Sequence, residues 1–189
     1  MKKTITSLFL LTAILLNLQK AEAQEKRINL TESSIHWLAK KVTGQHEGNI
    51  KISSGNLAYD KGVLSGGSFV VDMNSINCTD LEGEYKVKLE GHLKSNDFFG
   101  VAEHPQATLT FTNVKEKGNG LYSVTGDFTI KGKTNPATFN LQISEQNATA
   151  KVTINRSLYD IRYGSKSFFD NLGNKMIYDD FELNVNLKL

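Results

Sequence analysis

The chain has 189 residues, with 22 Lys and Arg against 20 Asp and Glu, for a formal charge of +2. That near-balance withholds the basic face that nucleic-acid binding requires, so no nucleic-acid partner is expected. A single cysteine, Cys78, permits no internal disulfide, so a hydrophobic core must hold the fold, and the thiol reads as one more small buried group.

Residues 1–23 read as an export signal. Lys2 and Lys3 lead an apolar run from Leu8 to Leu18, and Ala21-Glu22-Ala23 offers small residues for cleavage. The run falls short of the roughly 20 residues a spanning helix needs, so stable membrane insertion is not expected. Without Lys2, Lys3, Lys20 and Glu22, the remainder carries equal numbers of acidic and basic groups. The expected product is periplasmic or secreted and spans residues 24–189, one domain of ordinary size.

From there apolar residues fall at every second position, the spacing of a strand with one face turned inward. In chain order they are Ile35, Trp37 and Ala39, then Ile50 and Ile52, then Phe69, Val71 and Met73 opposite Ser68, Val70 and Asp72. Thr79 followed by Glu82 has the spacing of a capping box, which predicts a helix over 80–94. Leu81, Tyr85, Leu89 and Leu93 share a stripe on it. Glu82–Lys86, Glu84–Lys88 and Glu90–Lys94 are favourable pairs one turn apart. Strands then resume with Leu109 and Phe111, Phe128 and Ile130, Phe139, Leu141 and Ile143, and Val152 and Ile154. The last is the near-perfect alternation from Phe181 to Leu189. Asp60-Lys61-Gly62, Lys117 to Gly120 and Gly132 to Pro136 supply the residues that reversals need, and a short helical turn is expected over 165–172. The pattern predicts a single all-β domain: an antiparallel meander of about eight strands, enough to close into a barrel.

A catalytic motif is not apparent. Histidines 36, 46, 92 and 104 stand in no metal-ligand spacing, and no Gly-x-Ser-x-Gly elbow occurs. No catalytic constellation, metal or cofactor is therefore expected. His92 and Asp97 are the best proton-transfer candidates, which leaves a small enzyme acting on an amphiphile as the alternative; a His92 that simply anchors the helix end is the competing reading. Arg156, Tyr159, Arg162, Tyr163, Lys166, Phe168 and Phe169 form a cationic and aromatic cluster. Its arginines could meet a ligand head group or pair with Asp72, Asp160 or Asp179. An eight-stranded lumen can be packed solid or hold one small ligand, and composition leaves both open, a purely structural barrel included.

The segment His92-Leu93-Lys94-Ser95-Asn96-Asp97-Phe98-Phe99, followed by Pro105-Gln106-Ala107-Thr108, resembles the signature of the YceI-like family in its Bacteroidetes-type form. Lys41 to Gly48, Gly66 to Ile76, Val124 to Thr134, Ile161 to Ser165, Phe168-Phe169 and Asp179-Asp180-Phe181 look like that family's other landmarks, in the same order. The resemblance implies an extended lipocalin-like barrel that sheathes the tail of a polyisoprenoid, quinone or fatty amide. It further implies a non-enzymatic carrier or sequestering protein whose partner is a long-chain lipid or isoprenoid; homodimerisation is left open. Phe128, where the family more often has leucine, bears only on lumen shape. Strand parity then assigns the ligand-facing wall to Ile35, Trp37, Ile50, Ile52, Phe69, Val71, Met73, Leu109, Phe111, Phe128, Ile130, Phe139, Leu141 and Phe181. Leu89, Leu93, Phe98, Phe99, Phe168 and Phe169 are expected to line or close the mouth. Arg162 and Tyr163 are expected at its rim, as partners for a polar head group.

Overall fold

An alternating strand can hide one face only, and a ring of such strands hides all of those faces at once while leaving no open edge. The structure is a computed structural model that describes residues 24–189; the export signal expected over 1–23 lies outside the described residues. Its strands are β1 Gln24–Arg27, β2 Asn29–Lys41, β3 Gly44–Asp60, β4 Val63–Cys78, β5 Gln106–Gly118, β6 Leu121–Ile130, β7 Lys133–Ile143, β8 Asn147–Asn155 and β9 Ile177–Lys188. The one α-helix among the described residues, α1, spans Gly83–Lys94.

The order β3-β2-β9-β8-β7-β6-β5-β4 closes where β4 returns to β3, giving an eight-stranded antiparallel barrel. The ninth strand, β1, pairs with β3 alone, from Gln24↔Tyr59 to Arg27↔Asn56. Chain direction alternates around the ring, so the connections sort to two ends. The β2–β3 turn, the β6–β7 turn, α1 with its flanking loops and the long 156–176 connection share one, called here the helix end. Among the described residues, the connections at the opposite end are short turns.

Three of the reversals, Lys61-Gly62, Asn119-Gly120 and Lys131-Gly132, place both central residues in the left-handed region. That is the mirror-image turn whose twist matches a two-residue hairpin. The last corrects the turn expected over Gly132 to Pro136. Reversal is complete at Gly132, and Thr134, Asn135 and Pro136 already pair within β7. Pro136 is tolerated there because β7 has β6 alone as its sheet partner along that stretch; pairing with β8 begins at Asn140.

The helix also departs from expectation. It starts at Gly83, not Asp80, and the capping box does not form. Thr79 instead extends the β3–β4 seam, donating its N–H and its hydroxyl to the Glu47 carbonyl at 2.9 and 3.3 Å. Glu84–Lys88 forms as expected, whereas Glu90 pairs with Lys86 and accepts the Cys78 N–H at 2.9 Å. Leu93 is buried, and Leu81 and Leu89 pack partly buried against the core, but Tyr85 is 75% exposed. Its ring lies under Lys88 instead, with the ammonium 5.9 Å from the ring centre. The expected helical turn over 165–172 is a pair of turns in which Phe168 and Phe169 donate to the Ser165 carbonyl; single 3-10 turns lie on either side, at Arg156–Tyr159 and Gly173–Lys175.

Candidate functional site: an apolar lumen closed by aromatic side chains

The inward faces of the eight strands do not fill the barrel. They enclose a cavity of about 160 Å³. β9 lines it from Ile177 to Leu187. At about 3.3 Å per residue that is roughly 33 Å of strand, or about 25 Å along the barrel axis at the usual ~40° tilt. Spread along a wall of that length, such a volume makes a narrow apolar channel.

All fourteen residues that parity assigned to the wall do line it: Ile35, Trp37, Ile50, Ile52, Phe69, Val71, Met73, Leu109, Phe111, Phe128, Ile130, Phe139, Leu141 and Phe181. Ser68, Val70 and Asp72 are absent from it, as the period of two requires. A run of rings forms one side, with Phe69–Phe111, Phe111–Phe139 and Phe139–Phe128 centroids 5.7, 6.0 and 6.1 Å apart. Gly55 makes room for the first of them: a Cβ there would come within 2.5 Å of the Phe69 ring.

The helix end is closed by Leu93, Phe98 and Phe99, as expected. After α1 the chain folds back on itself: Phe99 donates its N–H to the Leu93 carbonyl at 3.1 Å and Gly100 to that of Ser95 at 2.8 Å. Phe98 and Phe99 pack edge to face at 5.0 Å, and Phe99 reaches Phe181 on the far wall at 6.5 Å. Each such side chain removed from water is worth about 1.5–3 kcal/mol, which holds the closure in place.

Leu89, Arg162, Tyr163, Phe168 and Phe169, expected at the mouth, lie outside the channel. Leu89 packs on the outer side of the core. The Arg162 guanidinium pairs with Asp160 and lies 5.0 Å above the Phe168 ring. Arg162, Tyr163 and Phe169 line a separate surface groove with Lys41, Lys131 and Lys175, which meets the channel at Ile177. Arg162 thus stands beside the channel and not in it, exposed and paired with Asp160. Nor does the His92–Asp97 pair assemble. The His92 ring sits edge-on to Phe98 and Tyr163, at 5.6 and 4.3 Å, with Nε2 buried and without a partner, while Asp97 is exposed.

The arginine that does reach the lumen is Arg156, 2% exposed. Its fork donates to four backbone carbonyls: Tyr178 (3.2 Å), Ile161 (2.9 Å), Tyr163 (2.9 Å) and Ile177 (3.1 Å). Asp179 stands 3.4 Å away, and the guanidinium is 5.6 Å from the Phe98 ring centre. Burial pulls this guanidinium below its ordinary pKa, and the neighbouring Asp179 charge opposes the shift. Arg156 thus ties the 156–178 connection to the closing aromatics.

Further residues line the channel that were not among the expected set: Ala39, Ile76, Ala107, Thr108, Ala150, Val152, Ile177, Tyr178, Leu183, Val185 and Leu187. For Leu183, Val185 and Leu187 the signal was present in the alternation of the final strand. Ala107 and Ala150 keep the same period of two, standing two residues before Leu109 and Val152, but a methyl group carries little apolar signal.

A second group of side chains converges outside the channel, at the seam where β4 passes into α1. His46, Cys78 and Asp80 bring one nitrogen, one sulfur and one oxygen within 4.8 Å of one another. Burial acts to raise the Asp80 carboxyl, but the Cys78 thiol, the Glu47 N–H and the His46 ring outweigh it and hold the group at about 2. The thiol moves the other way, raised by burial and then by the same carboxylate.

An antiparallel barrel of eight strands with a narrow apolar lumen, closed at one end by a helix and its loop, is lipocalin-like in architecture. A profile of the YceI-like domain matches residues 27–189, and the chain belongs to that family. Protein YceI of Escherichia coli O17:K52:H18 is 39% identical over 72 residues, 38% of this chain and 37% of that protein. The match thus spans little more than a third of the relative's length. Among solved structures, BcnA of Burkholderia cenocepacia has a TM-score of 0.69 at 21% identity, covering 86% of this chain and 99% of BcnA. A polyisoprenoid binding domain from Saccharophagus degradans, implicated in plant cell wall breakdown, has a TM-score of 0.57 at 15% identity, covering 86% and 95%. At such identities the likeness speaks for the fold.

Proposed function

We propose that this chain is an exported carrier or sequestering protein, a binding protein and not an enzyme, that sheathes the tail of a long apolar ligand of the polyisoprenoid, quinone or fatty-amide class. The channel is the observation that carries this reading. At about 24 cal/mol per Å³ of unfilled interior, a volume of this size costs about 4 kcal/mol relative to a packed core. A fold held by packing alone has no reason to keep such a cost, whereas a binding protein recovers it when a tail fills the space. Family membership and the polyisoprenoid-binding neighbour support the same ligand class. The basic start and apolar run of residues 1–23 support export.

Native mass spectrometry of the protein isolated from its own host tests this directly, and co-purifying lipid is the expected result. Trp37, the only tryptophan, lines the channel, so a lipid brominated along its tail should quench its emission. Ala107→Phe and Ala150→Phe place rings in the lumen at positions that now carry a methyl group. Both should abolish quenching while leaving the fold intact. Quenching that persists unchanged in both plugged variants would defeat the lumen as the binding site.

A further inference from the structure

We propose that His46, Cys78 and Asp80 form a binding site for a zinc-class divalent cation, separate from the lumen and set at the junction of β3, β4 and α1.

The donor set comes first. Imidazole nitrogen, thiolate sulfur and carboxylate oxygen are the three ligand types that zinc accepts, whereas magnesium and calcium favour all-oxygen shells. The carboxylate already bridges the other two, with Asp80 Oδ1 2.9 Å from Cys78 Sγ and Asp80 Oδ2 2.8 Å from His46 Nδ1. Tetrahedral zinc, with bonds of about 2.0–2.3 Å, sets its ligands roughly 3.3–3.8 Å apart, so small side-chain rotations bring the three atoms to that spacing. Three protein donors leave a fourth position for water. Access comes from the His46 and Asp80 side, where the side chains are 24% and 25% exposed, while the sulfur is buried beneath them.

Surrounding groups hold the ligands in place, as outer-shell partners do in metal sites. Asp80 Oδ1 accepts the Glu47 N–H at 3.1 Å, and Glu90 on α1 accepts the Cys78 N–H at 2.9 Å. Without a cation the Cys78 thiol donates to Asp80 Oδ1 and the His46 ring meets Oδ2, so the three side chains hold one another in place. An S–H gives only a weak hydrogen bond, and a carboxylate oxygen set against a buried sulfur makes the thiolate harder to form in the absence of a cation. When the cation binds, the thiol gives up its proton to solvent, sulfur and oxygen move apart to bond the metal between them, and one proton is released per ion bound. The bound ion would staple the start of the lid segment to β3. The site lies close to the lumen wall, since Trp37 donates its indole N–H to the carbonyl of Asn77, the residue before Cys78, at 3.0 Å.

Titration of chelator-treated protein with Co²⁺ tests the site, with Zn²⁺ as competitor. The expected result is one ion per chain and a thiolate-to-cobalt charge-transfer band that Zn²⁺ removes. Because Cys78 is the only cysteine, that band reports on no other residue. Cys78→Ser should abolish it, His46→Gln and Asp80→Asn should each weaken Co²⁺ at least tenfold, and His104→Gln should leave it unchanged. His46 and Asp80 are partly exposed, so those variants keep the fold if Cys78→Ser does not. Absence of the band in excess Co²⁺ overturns the proposal. So does a band whose affinity survives both His46→Gln and Asp80→Asn, since that would mean the thiolate binds alone.

Discussion

Arg156→Met leaves four carbonyl oxygens, those of Ile161, Tyr163, Ile177 and Tyr178, without their donor, and removes the cation beside Asp179. Removing one partner of a buried hydrogen bond costs about 1–3 kcal/mol, and breaking a buried ion pair about 3–5 kcal/mol. These contributions overlap, and the loop can relax toward water, so the expected loss is about 4 kcal/mol, a large share of the roughly 5–15 kcal/mol of a typical domain. For a domain of this size that corresponds to a fall in Tm of about 8–16 °C. Urea unfolding followed by Trp37 emission measures it. Two further variants separate charge from geometry. Arg156→Lys keeps the charge but replaces a planar fork with a single ammonium, which cannot serve four carbonyls, and should recover less than half of the loss. Asp179→Asn keeps the shape and the Ser167 hydrogen bond acceptor, and should cost about 1 kcal/mol. If Arg156→Lys is as stable as the parent, or Arg156→Met costs under about 1 kcal/mol, the four-carbonyl account is wrong.

Gly48→Ala should destabilise by about 2–3 kcal/mol and shift Trp37 emission, because a Cβ there would lie 1.9 Å from the Asn77 carbonyl oxygen and 2.8 Å from the indole ring. On α1, Leu93→Ala should cost about 2–4 kcal/mol by thermal unfolding, whereas Tyr85→Ser should fall within about 0.5 kcal/mol of the parent. Equal losses from the two would mean that the helix packs by its whole stripe and not by its C-terminal turn.

The strands were legible because a period of two needs no tertiary information: Phe69, Val71 and Met73 announce their common face wherever the strand sits. The helix start was not. Thr79 and Glu82 have the spacing of a capping box, but Thr79 found a better partner in the Glu47 carbonyl, a residue brought alongside only once β3 and β4 pair. Tyr85 fell out of the stripe for a related reason, since α1 docks through Leu89 and Leu93 near its end and leaves its first turn in solvent.

Between Arg156 and Arg162 the sequence offers no choice, for both stand beside aromatic and acidic residues. Topology decides. Arg156 follows β8 directly at the barrel end, where the returning 161–163 and 177–178 segments aim their carbonyls at it. Arg162 lies on the outside of that same connection, paired with Asp160. The channel is a still subtler case. The nine phenylalanines after residue 23, with Met73, are enough to fill a barrel or to line one, and which they do depends on what stands between them. Ala39, Ala107 and Ala150 take inward positions among the large side chains. Ala39 and Ala107 stand toward the helix end and Ala150 opposite Val185, and a methyl at each leaves open the space that a larger side chain would fill. The same alternation that predicts a core therefore produces a channel, and only the distribution of small residues around the ring distinguishes the two.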